Sequence, residues 1–182
     1  MKFIETPIKD LFVIEPTLWK DDRGYFYESY SQQKFAEVGI TDIFVQDNQS
    51  LSQRGTLRGL HAQNYPSAQG KLVRVITGSV LDVAVDIRKS SPTYGQHFSI
   101  ELSANTHTML WIPVGFLHGF ITLENNTIFS YKVSALYNKT AEIGVIWNDS
   151  DLNIDWNIKT NDIILSAKDE LLPKFKKFES PF

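Results

Sequence analysis

Residues 79–88 read SVLDVAVDIR, and the alternation in this stretch decides the class of fold. The even-numbered positions carry two carboxylates and the odd-numbered ones are aliphatic: Val80, Asp82, Ala84 and Asp86 against Leu81, Val83, Val85 and Ile87. Successive side chains of a β-strand point to opposite faces, so the pattern predicts a strand with an aliphatic stripe on one face. The two carboxylates then share the other face.

Similar short runs continue along the chain on both sides of this stretch. They are enriched in β-branched and aromatic residues and are separated by turn residues: FVIEPTLW (12–19), GYFYESY (24–30), IFVQDNQS (43–50), KLVRVITG (71–78), HFSIELS (97–103), TMLWIPV (108–114), GFITLE (119–124), TIFSYKVSALY (127–137) and GVIWND (144–149). About ten such strands predict a mainly β protein, a jelly-roll barrel with a few short helices.

Two segments have helical signals. SQQKFAEVG (31–39) begins with Ser31 as a candidate N-cap and ends at Gly39. SAKDELLPKF (166–175) begins with Ser166 and carries acidic residues in its first turn, where the helix dipole favours them. We therefore expect one short helix in each segment.

The composition favours one well-packed domain that spans residues 1–182. Hydrophobic residues make up 42% of the chain, which is enough for a sizeable core, and no linker or repeat divides it. The chain has no cysteine, which excludes disulfides, thiolate zinc sites and a cysteine nucleophile. This usage fits a reducing cytoplasm.

Charge and hydropathy exclude other classes of partner. Lys and Arg number 18 against 21 acidic residues, without a basic cluster, so nucleic acid is not an expected partner. The N-terminus MKFIETPIKDLF has no apolar core typical of a signal peptide. No apolar run approaches the roughly 20 residues that span a bilayer, so we expect a cytoplasmic protein without a membrane partner.

The histidines decide whether a metal site is expected. His61 lies in TLRGLHAQ (56–63), where Arg58 and His61 point to opposite faces unless a bulge at Gly59 changes the parity. His118 lies in WIPVGFLHGF (111–120), which is similar to the second metal motif of cupins. The first motif lacks its second histidine and its glutamate, since Ala62 and Gln63 follow His61. Two histidines alone are a poor ligand set, so no metal is expected.

Acid–base groups remain as the candidate chemistry. A histidine such as His61 is a natural base near neutral pH when a carboxylate orients its second nitrogen, and Asp169 is a candidate partner. Tyr131 and Tyr137 are candidate acids, and Lys71 could stabilise an enolate oxygen. A lone histidine or tyrosine in a β-protein is more often a packing residue, so these residues by themselves leave both readings open.

Together the motifs resemble a known family over nearly the whole chain. The segments that carry the resemblance are DDRGYFYESY (21–30), FVQDNQS (44–50), LRGLHAQ (57–63), AQGKLVRV (68–75), GSVLDVAVDIRKSSPTYGQ (78–96), ELSANT (101–106), LWIPVGFLHGF (110–120), FSYK (129–132), WNDSDLNIDW (147–156) and ILSAKD (164–169). The sequence is similar to the dTDP-4-dehydrorhamnose 3,5-epimerase family, a metal-independent branch of the cupin superfamily.

This resemblance implies a homodimer that needs no metal or redox cofactor and inverts C3 and C5 of dTDP-4-dehydro-6-deoxy-D-glucose. Both carbons lie α to the C4 ketone, which acidifies their protons. The resemblance assigns His61 as the base, Asp169 as its orienting partner and Tyr131 as the acid. Lys71 would stabilise charge at the C4 oxygen, and the polar lining would be completed by Arg58, His118, Asp82 and Tyr137.

The resemblance also implies how the nucleotide is held. Gln46 and Asn48 of VQDN are expected to contact it. Arg23, Phe26 and Glu28 of DRGYFYES are expected to reach it across the dimer, which would make the site shared between subunits. The guanidinium of Arg23 suits a diphosphate because it can donate two parallel hydrogen bonds.

Some positions depart from the usual family pattern and keep alternatives open. Ala62 stands where the family has an aromatic residue, and the other departures are Gln49 for His, Val114 for Glu, Leu117 for Ala and Leu136 for Tyr. The alternatives are an epimerase that inverts only C3 or C5, a 3,4-ketoisomerase, a metal-dependent cupin oxygenase, and a sugar-nucleotide-binding module without catalysis.

Overall fold

The computed structural model describes all 182 residues, and two antiparallel sheets face each other in it. The first sheet has six strands in the spatial order β1 (Lys2–Glu5), β2 (Phe12–Glu15), β10 (Met109–Ile112), β7 (Lys71–Thr77), β12 (Thr127–Val133) and β5 (Gln46–Ser52). The second has five strands in the order β13 (Glu142–Gly144), β6 (Leu57–Gln63), β11 (Phe116–Thr122), β8 (Ser79–Asp86) and β9 (His97–Ser103).

A separate two-stranded hairpin and a few short helical turns complete the fold. The hairpin consists of β3 (Trp19–Asp21) and β4 (Gly24–Phe26). The one α-helix, α1, spans Gln32–Ala36, and four 3₁₀ turns span Lys139–Ala141, Thr160–Asp162, Asp169–Leu171 and Phe175–Lys177. The predicted mainly β barrel with few short helices is confirmed. No helix has the length and apolar character needed to cross a bilayer.

Strand β8 contains the stretch that decided the prediction, and both of its faces are buried. Val80 and Ala84 pack in the core between the two sheets, on the face that also carries the carboxylates. Leu81, Val83 and Val85 pack on the outer face of the second sheet, under the segment that follows β13. The predicted alternation is therefore correct, and the carboxylate face is the interior of the barrel.

The two carboxylates of β8 have different partners. Asp86 accepts hydrogen bonds from the backbone and guanidinium of Arg88 and from the hydroxyls of Ser91 and Thr93. Although burial raises the pKa of Asp86, these bonds outweigh it and lower the pKa overall. Asp86 is thus a structural ion-pair residue, whereas Asp82 faces His118 in the interior.

The first helix forms where it was predicted, and the second forms only in part. Helix α1 follows Ser31, although the side chain of Ser31 makes no capping hydrogen bond, and the chain turns at Gly39 with φ of +84°. In the second segment the 3₁₀ turn Asp169–Leu171 forms and another begins at Phe175, so the short helix predicted there is present only as 3₁₀ turns and not as an α-helix. Pro173 explains the break because proline lacks an N–H and restricts the residue before it.

A bulge in β6 settles the parity question for Arg58 and His61. His118 of β11 pairs with His61 and Phe120 pairs with Arg58, so three steps along β6 match two along β11. Gly59 provides the extra residue: its φ is +133°, and a Cβ there would lie 2.5 Å from the Cα of Gly119. Arg58 and His61 consequently line the same cavity.

Candidate active site

A cavity of about 580 Å³ opens between the two sheets. Strands of both sheets line it, together with the segment that precedes the 3₁₀ turn Asp169–Leu171. It contains nine of the predicted site residues: Gln46, Asn48, Arg58, His61, Lys71, His118, Tyr131, Tyr137 and Asp169. Because polar groups from distant parts of the chain converge on one concave space, this cavity is the candidate active site.

His61 and Asp169 form the pair that the sequence proposed. Nε2 of His61 lies 2.7 Å from Oδ1 of Asp169, and only 5% of the Asp169 side chain is exposed. Burial raises the pKa of this carboxyl, but the hydrogen bond and charge of His61, together with hydrogen bonds from the Gly59 backbone and Ser166, lower the pKa overall. A carboxylate at Nε2 holds the proton there, so Nδ1 of His61 keeps its lone pair free to accept one.

Glu142 adds a second carboxylate beside His61. It begins β13, which pairs with β6, and its Oε1 lies 3.8 Å from Nε2 of His61. It also accepts a hydrogen bond from the Tyr137 hydroxyl, at 2.9 Å, and forms an ion pair with Lys168. Burial raises the pKa of Glu142, but the hydrogen bonds from Lys168 and Tyr137 and the charges of His61 and Lys168 together lower the pKa overall. Glu142 is therefore an anion at neutral pH.

Tyr131 lies on the opposite wall, on β12 of the first sheet. Burial raises the pKa of its phenol, and the nearby Arg58 opposes that rise. The phenol thus keeps its proton at neutral pH. The guanidinium of Arg58 donates to the hydroxyl of Ser52, at 3.2 Å, and makes no ion pair with a carboxylate within 4.0 Å.

Lys71 supplies a second unpaired cation at the start of β7. Its ammonium makes no ion pair within 4.0 Å, although Asp82 and Glu142 are near enough to favour its charge. Burial lowers the pKa of Lys71 to about 8, against those two carboxylates. A partly desolvated cation without a fixed partner is suited to an oxyanion of a bound molecule.

His118 and Asp82 form a second histidine–carboxylate pair. Nε2 of His118 lies 3.0 and 3.1 Å from the two carboxylate oxygens of Asp82, and neither side chain is appreciably exposed. Burial lowers the pKa of His118, while Asp82 opposes that shift. Asp82 itself does not line the cavity, so it acts on the site through His118.

The remaining predicted residues divide between two places. Gln46 and Asn48 lie on the inward face of β5, and their side chains are hydrogen-bonded to each other at 2.7 Å. Arg23, Phe26 and Glu28 belong to the β3–β4 hairpin and its continuation, and none of them lines the cavity of its own chain. Arg23 is paired with Asp21 there, and Phe26 is 67% exposed.

Sequence reasoning missed several polar residues of the cavity wall, among them Gln63, Gln69, Glu142 and Lys168. Gln63 follows His61 by two residues and Lys168 precedes Asp169, so proximity to candidate residues was an available signal for both. Glu142 had no such signal, because it reaches His61 only through the pairing of β13 with β6. No group of three or more His, Asp or Glu side chains has a geometry that could hold a metal ion.

Comparison with known proteins agrees with the geometry. The family model described as dTDP-4-dehydrorhamnose 3,5-epimerase matches residues 5–177. A dTDP-4-dehydrorhamnose 3,5-epimerase of Shigella flexneri is 49% identical over 170 residues, which are 93% of this chain and 93% of that protein.

Two solved structures are similar over almost the full chain. The enzyme of the same name from Elizabethkingia anophelis NUHP1 has a TM-score of 0.94 and 51% identity, covering 97% of each chain. A Legionella pneumophila dTDP-6-deoxy-D-glucose-3,5-epimerase in complex with dTDP-4-keto-L-rhamnose has a TM-score of 0.93 and 44% identity, covering 98% of this chain and 94% of that one.

Proposed function

Because the chain belongs to the dTDP-4-dehydrorhamnose 3,5-epimerase family, we propose that it inverts C3 and C5 of dTDP-4-dehydro-6-deoxy-D-glucose. The product is dTDP-4-dehydro-L-rhamnose, and the enzyme is an isomerase of dTDP-rhamnose biosynthesis. One observation supports this mechanism above the others. A histidine base and a protonated tyrosine, His61 and Tyr131, lie on opposite sheets and face one cavity.

Each inversion removes a proton from one face of the carbon and returns another to the opposite face. The C–H proton moves to Nδ1 of His61, and the electron pair moves into an enolate at C4. Asp169 stabilises the imidazolium that results, since it is already bonded to Nε2. Tyr131 then donates its hydroxyl proton to the other face of the carbon, and both groups exchange protons with water afterwards.

The cations of the cavity fit the charge that develops in this scheme. Lys71 has no fixed carboxylate partner and would stabilise the enolate oxygen. Arg58 lies close enough to Tyr131 for its charge to oppose the rise in the pKa of the phenol that burial causes. It would therefore stabilise the phenolate left after proton donation. Glu142 and Lys168 would contact polar groups of the substrate at the wall beside His61.

We also propose a homodimer in which the β3–β4 hairpin completes the site of the partner. The exposed side chains of Trp19, Tyr25 and Phe26 support this, because exposed aromatic clusters mark contact surfaces. Strand β5 ends the six-stranded sheet, so one of its edges is free beside Gln46 and Asn48. A partner's hairpin at this edge would bring its Arg23, Phe26 and Glu28 to the nucleotide.

Solvent exchange tests the reaction directly. The protein is incubated with dTDP-4-dehydro-6-deoxyglucose in D₂O, and the protons at C3 and C5 are followed by NMR. We expect deuterium at both carbons and the rhamno product. Deuterium at a single carbon would contradict the double inversion, and binding without any exchange would favour a module without catalysis. Full activity after exhaustive chelation is expected, and its loss would favour a metal-dependent cupin.

A further inference from the structure

The segment 134–138, which we call the tyrosine loop, links β12 to the 3₁₀ turn Lys139–Ala141 without regular secondary structure. It carries Tyr137, whose ring lines the cavity and whose hydroxyl donates to Glu142. More than half of Tyr137 is exposed, so packing alone does not hold the ring in place. The position of this wall therefore depends on the bond to Glu142 and on how the backbone of the loop is fixed.

Gln63 makes the most complete contact with the tyrosine loop. Its amide oxygen accepts a hydrogen bond from the backbone N–H of Asn138, at 2.7 Å. Its amide nitrogen donates to the carbonyl oxygens of Ser67, at 3.0 Å, and of Leu136, at 3.4 Å. An N–H of the backbone can meet only an acceptor, so the contact with Asn138 fixes the orientation of the amide. Gln63 is 5% exposed, which shields these bonds from water.

Two further glutamines contact the same loop, Gln46 from β5 and Gln69 from the segment before β7. The amide nitrogen of Gln69 donates to the carbonyl oxygen of Ala135, at 2.6 Å. The amide oxygen of Gln46 accepts from the backbone N–H of Tyr137, at 3.2 Å. Backbone groups in an irregular segment need partners from side chains or water, and here three glutamine amides provide them.

We propose that Gln63 and Gln69 are positioning residues of the epimerase, which fix the tyrosine loop so that the Tyr137 ring forms a wall of the substrate cavity. The expected effect on substrate binding rests on the proposed function. The position of the loop rests on the hydrogen bonds alone. Both glutamines act through the loop, and neither makes a hydrogen bond to His61 or Tyr131.

A wall of this kind contacts bound substrate and transition state equally. Loosening it should therefore weaken binding and raise KM, whereas kcat should change little. Loss of the base or the acid would have the opposite pattern, with a large fall in kcat. The split between KM and kcat separates positioning of the wall from a role in proton transfer.

The test compares Gln63→Leu and Gln69→Leu with Gln53→Leu as the matched control. Gln53 is an exposed glutamine whose amide donates to Asn126, in a contact that does not involve the tyrosine loop. Gln69→Leu removes a single hydrogen bond at a less buried position, so this variant is expected to fold. If Gln63→Leu fails to fold, Gln69→Leu still tests the inference. Amide hydrogen exchange is followed by NMR or mass spectrometry, dTDP binding by calorimetry, and KM and kcat by the epimerase assay.

We expect both loop variants to exchange the amides of Tyr137 and Asn138 about tenfold or more faster, while those of β6 and β12 keep their protection. The dissociation constant of dTDP and KM should rise about tenfold, with kcat within about threefold of the parent protein. Gln53→Leu should match the parent protein throughout.

Unchanged exchange in the tyrosine loop would overturn the inference, and so would faster exchange with unaltered dTDP binding and KM. A kcat that falls as far as it does without His61 would also overturn it. If the parent protein has no epimerase activity, the proposed reaction fails, but exchange and dTDP binding still decide the role of the glutamines. If it does not bind dTDP either, faster exchange supports positioning of the loop and unchanged exchange rejects it.

Discussion

Nε2 of His61 lies 2.7 Å from Oδ1 of Asp169, a residue 108 positions further along the chain. This contact favours the proton on Nε2 and leaves the lone pair of Nδ1 free, as the proposed role of His61 as the base requires. In Asp169→Asn the amide can donate to Nε2, which favours the tautomer with the proton on Nδ1. We expect kcat to fall about 10²–10⁴-fold, as measured by deuterium incorporation at C3 and C5.

The exposed carboxylate of Asp162, in the same C-terminal segment, offers a matched control. Asp162→Asn should leave the rate unchanged. A rate for Asp169→Asn close to that of the parent protein would show that His61 needs no orienting carboxylate.

Tyr131→Phe should separate exchange from inversion. His61 still removes the proton, so deuterium from solvent enters at C3 and C5, but no acid delivers a proton to the opposite face. We expect inversion to fall about 10²–10⁴-fold, more at C5 than at C3, with exchange at C3 far less affected. NMR in D₂O reports both on one sample. Equal losses of exchange and inversion at C3 would place Tyr131 in proton removal instead.

Lys71 should give the enzyme a basic limb in its pH profile. Its pKa is lowered to about 8 by burial, so the ammonium that we propose to stabilise the enolate is lost as the pH rises through that value. Burial raises the pKa of Tyr131, so loss of its proton occurs at higher pH. We expect kcat/KM to fall above pH 8 in the parent protein. Lys71→Arg, which stays charged, should lack this limb at a lower overall rate; persistence of the limb would assign it to another group.

Ala62 and Leu117 give a prediction for stability. His61 pairs with His118, so the adjacent residues Ala62 and Leu117 are neighbours across β6 and β11 on the outer face, and both pack in its apolar cluster. By resemblance, the family usually has a large residue at the first position and alanine at the second. We therefore expect the two departures to compensate each other in volume.

We expect Ala62→Phe alone to lower the free energy of unfolding by about 1–3 kcal/mol through overpacking. Leu117→Ala alone should lower it by about 2–5 kcal/mol because it leaves a cavity. The double variant should be more stable than the sum predicts, with a coupling of about 0.5–3 kcal/mol, measured by denaturant unfolding. Strict additivity would show that the two side chains do not share one space.

Subunit complementation tests the shared site. Arg23→Ala and His61→Ala should each be inactive alone. In a mixed dimer, one site combines the intact His61 of one subunit with the intact hairpin of the other. Mixing the two variants in equal amounts under exchange should restore about a quarter of the activity, since about half of the dimers are mixed and each has one complete site. No recovery would indicate that Arg23 serves the site of its own chain.

The local pattern of residue types in the sequence determined much of the secondary structure of this protein. The alternation in residues 79–88 predicted which side chains of β8 share a face, because strand geometry depends on neighbouring residues alone. The same reasoning located α1 correctly. It was only partly correct for residues 166–175, where Pro173 and packing against the barrel left 3₁₀ turns and no α-helix.

The sequence also indicated candidate residues for the site, but it did not show which of them lie close together in the fold. Periodicity placed Arg58 and His61 on opposite faces, and only the bulge at Gly59 brings both into one cavity. The sequence proposed Asp169 as a partner for His61 without any means of bringing it there. Glu142 reaches His61 through the pairing of β13 with β6. A strand's periodicity encodes the face on which each side chain lies, whereas distances between remote segments are set by pairing and packing of the whole chain.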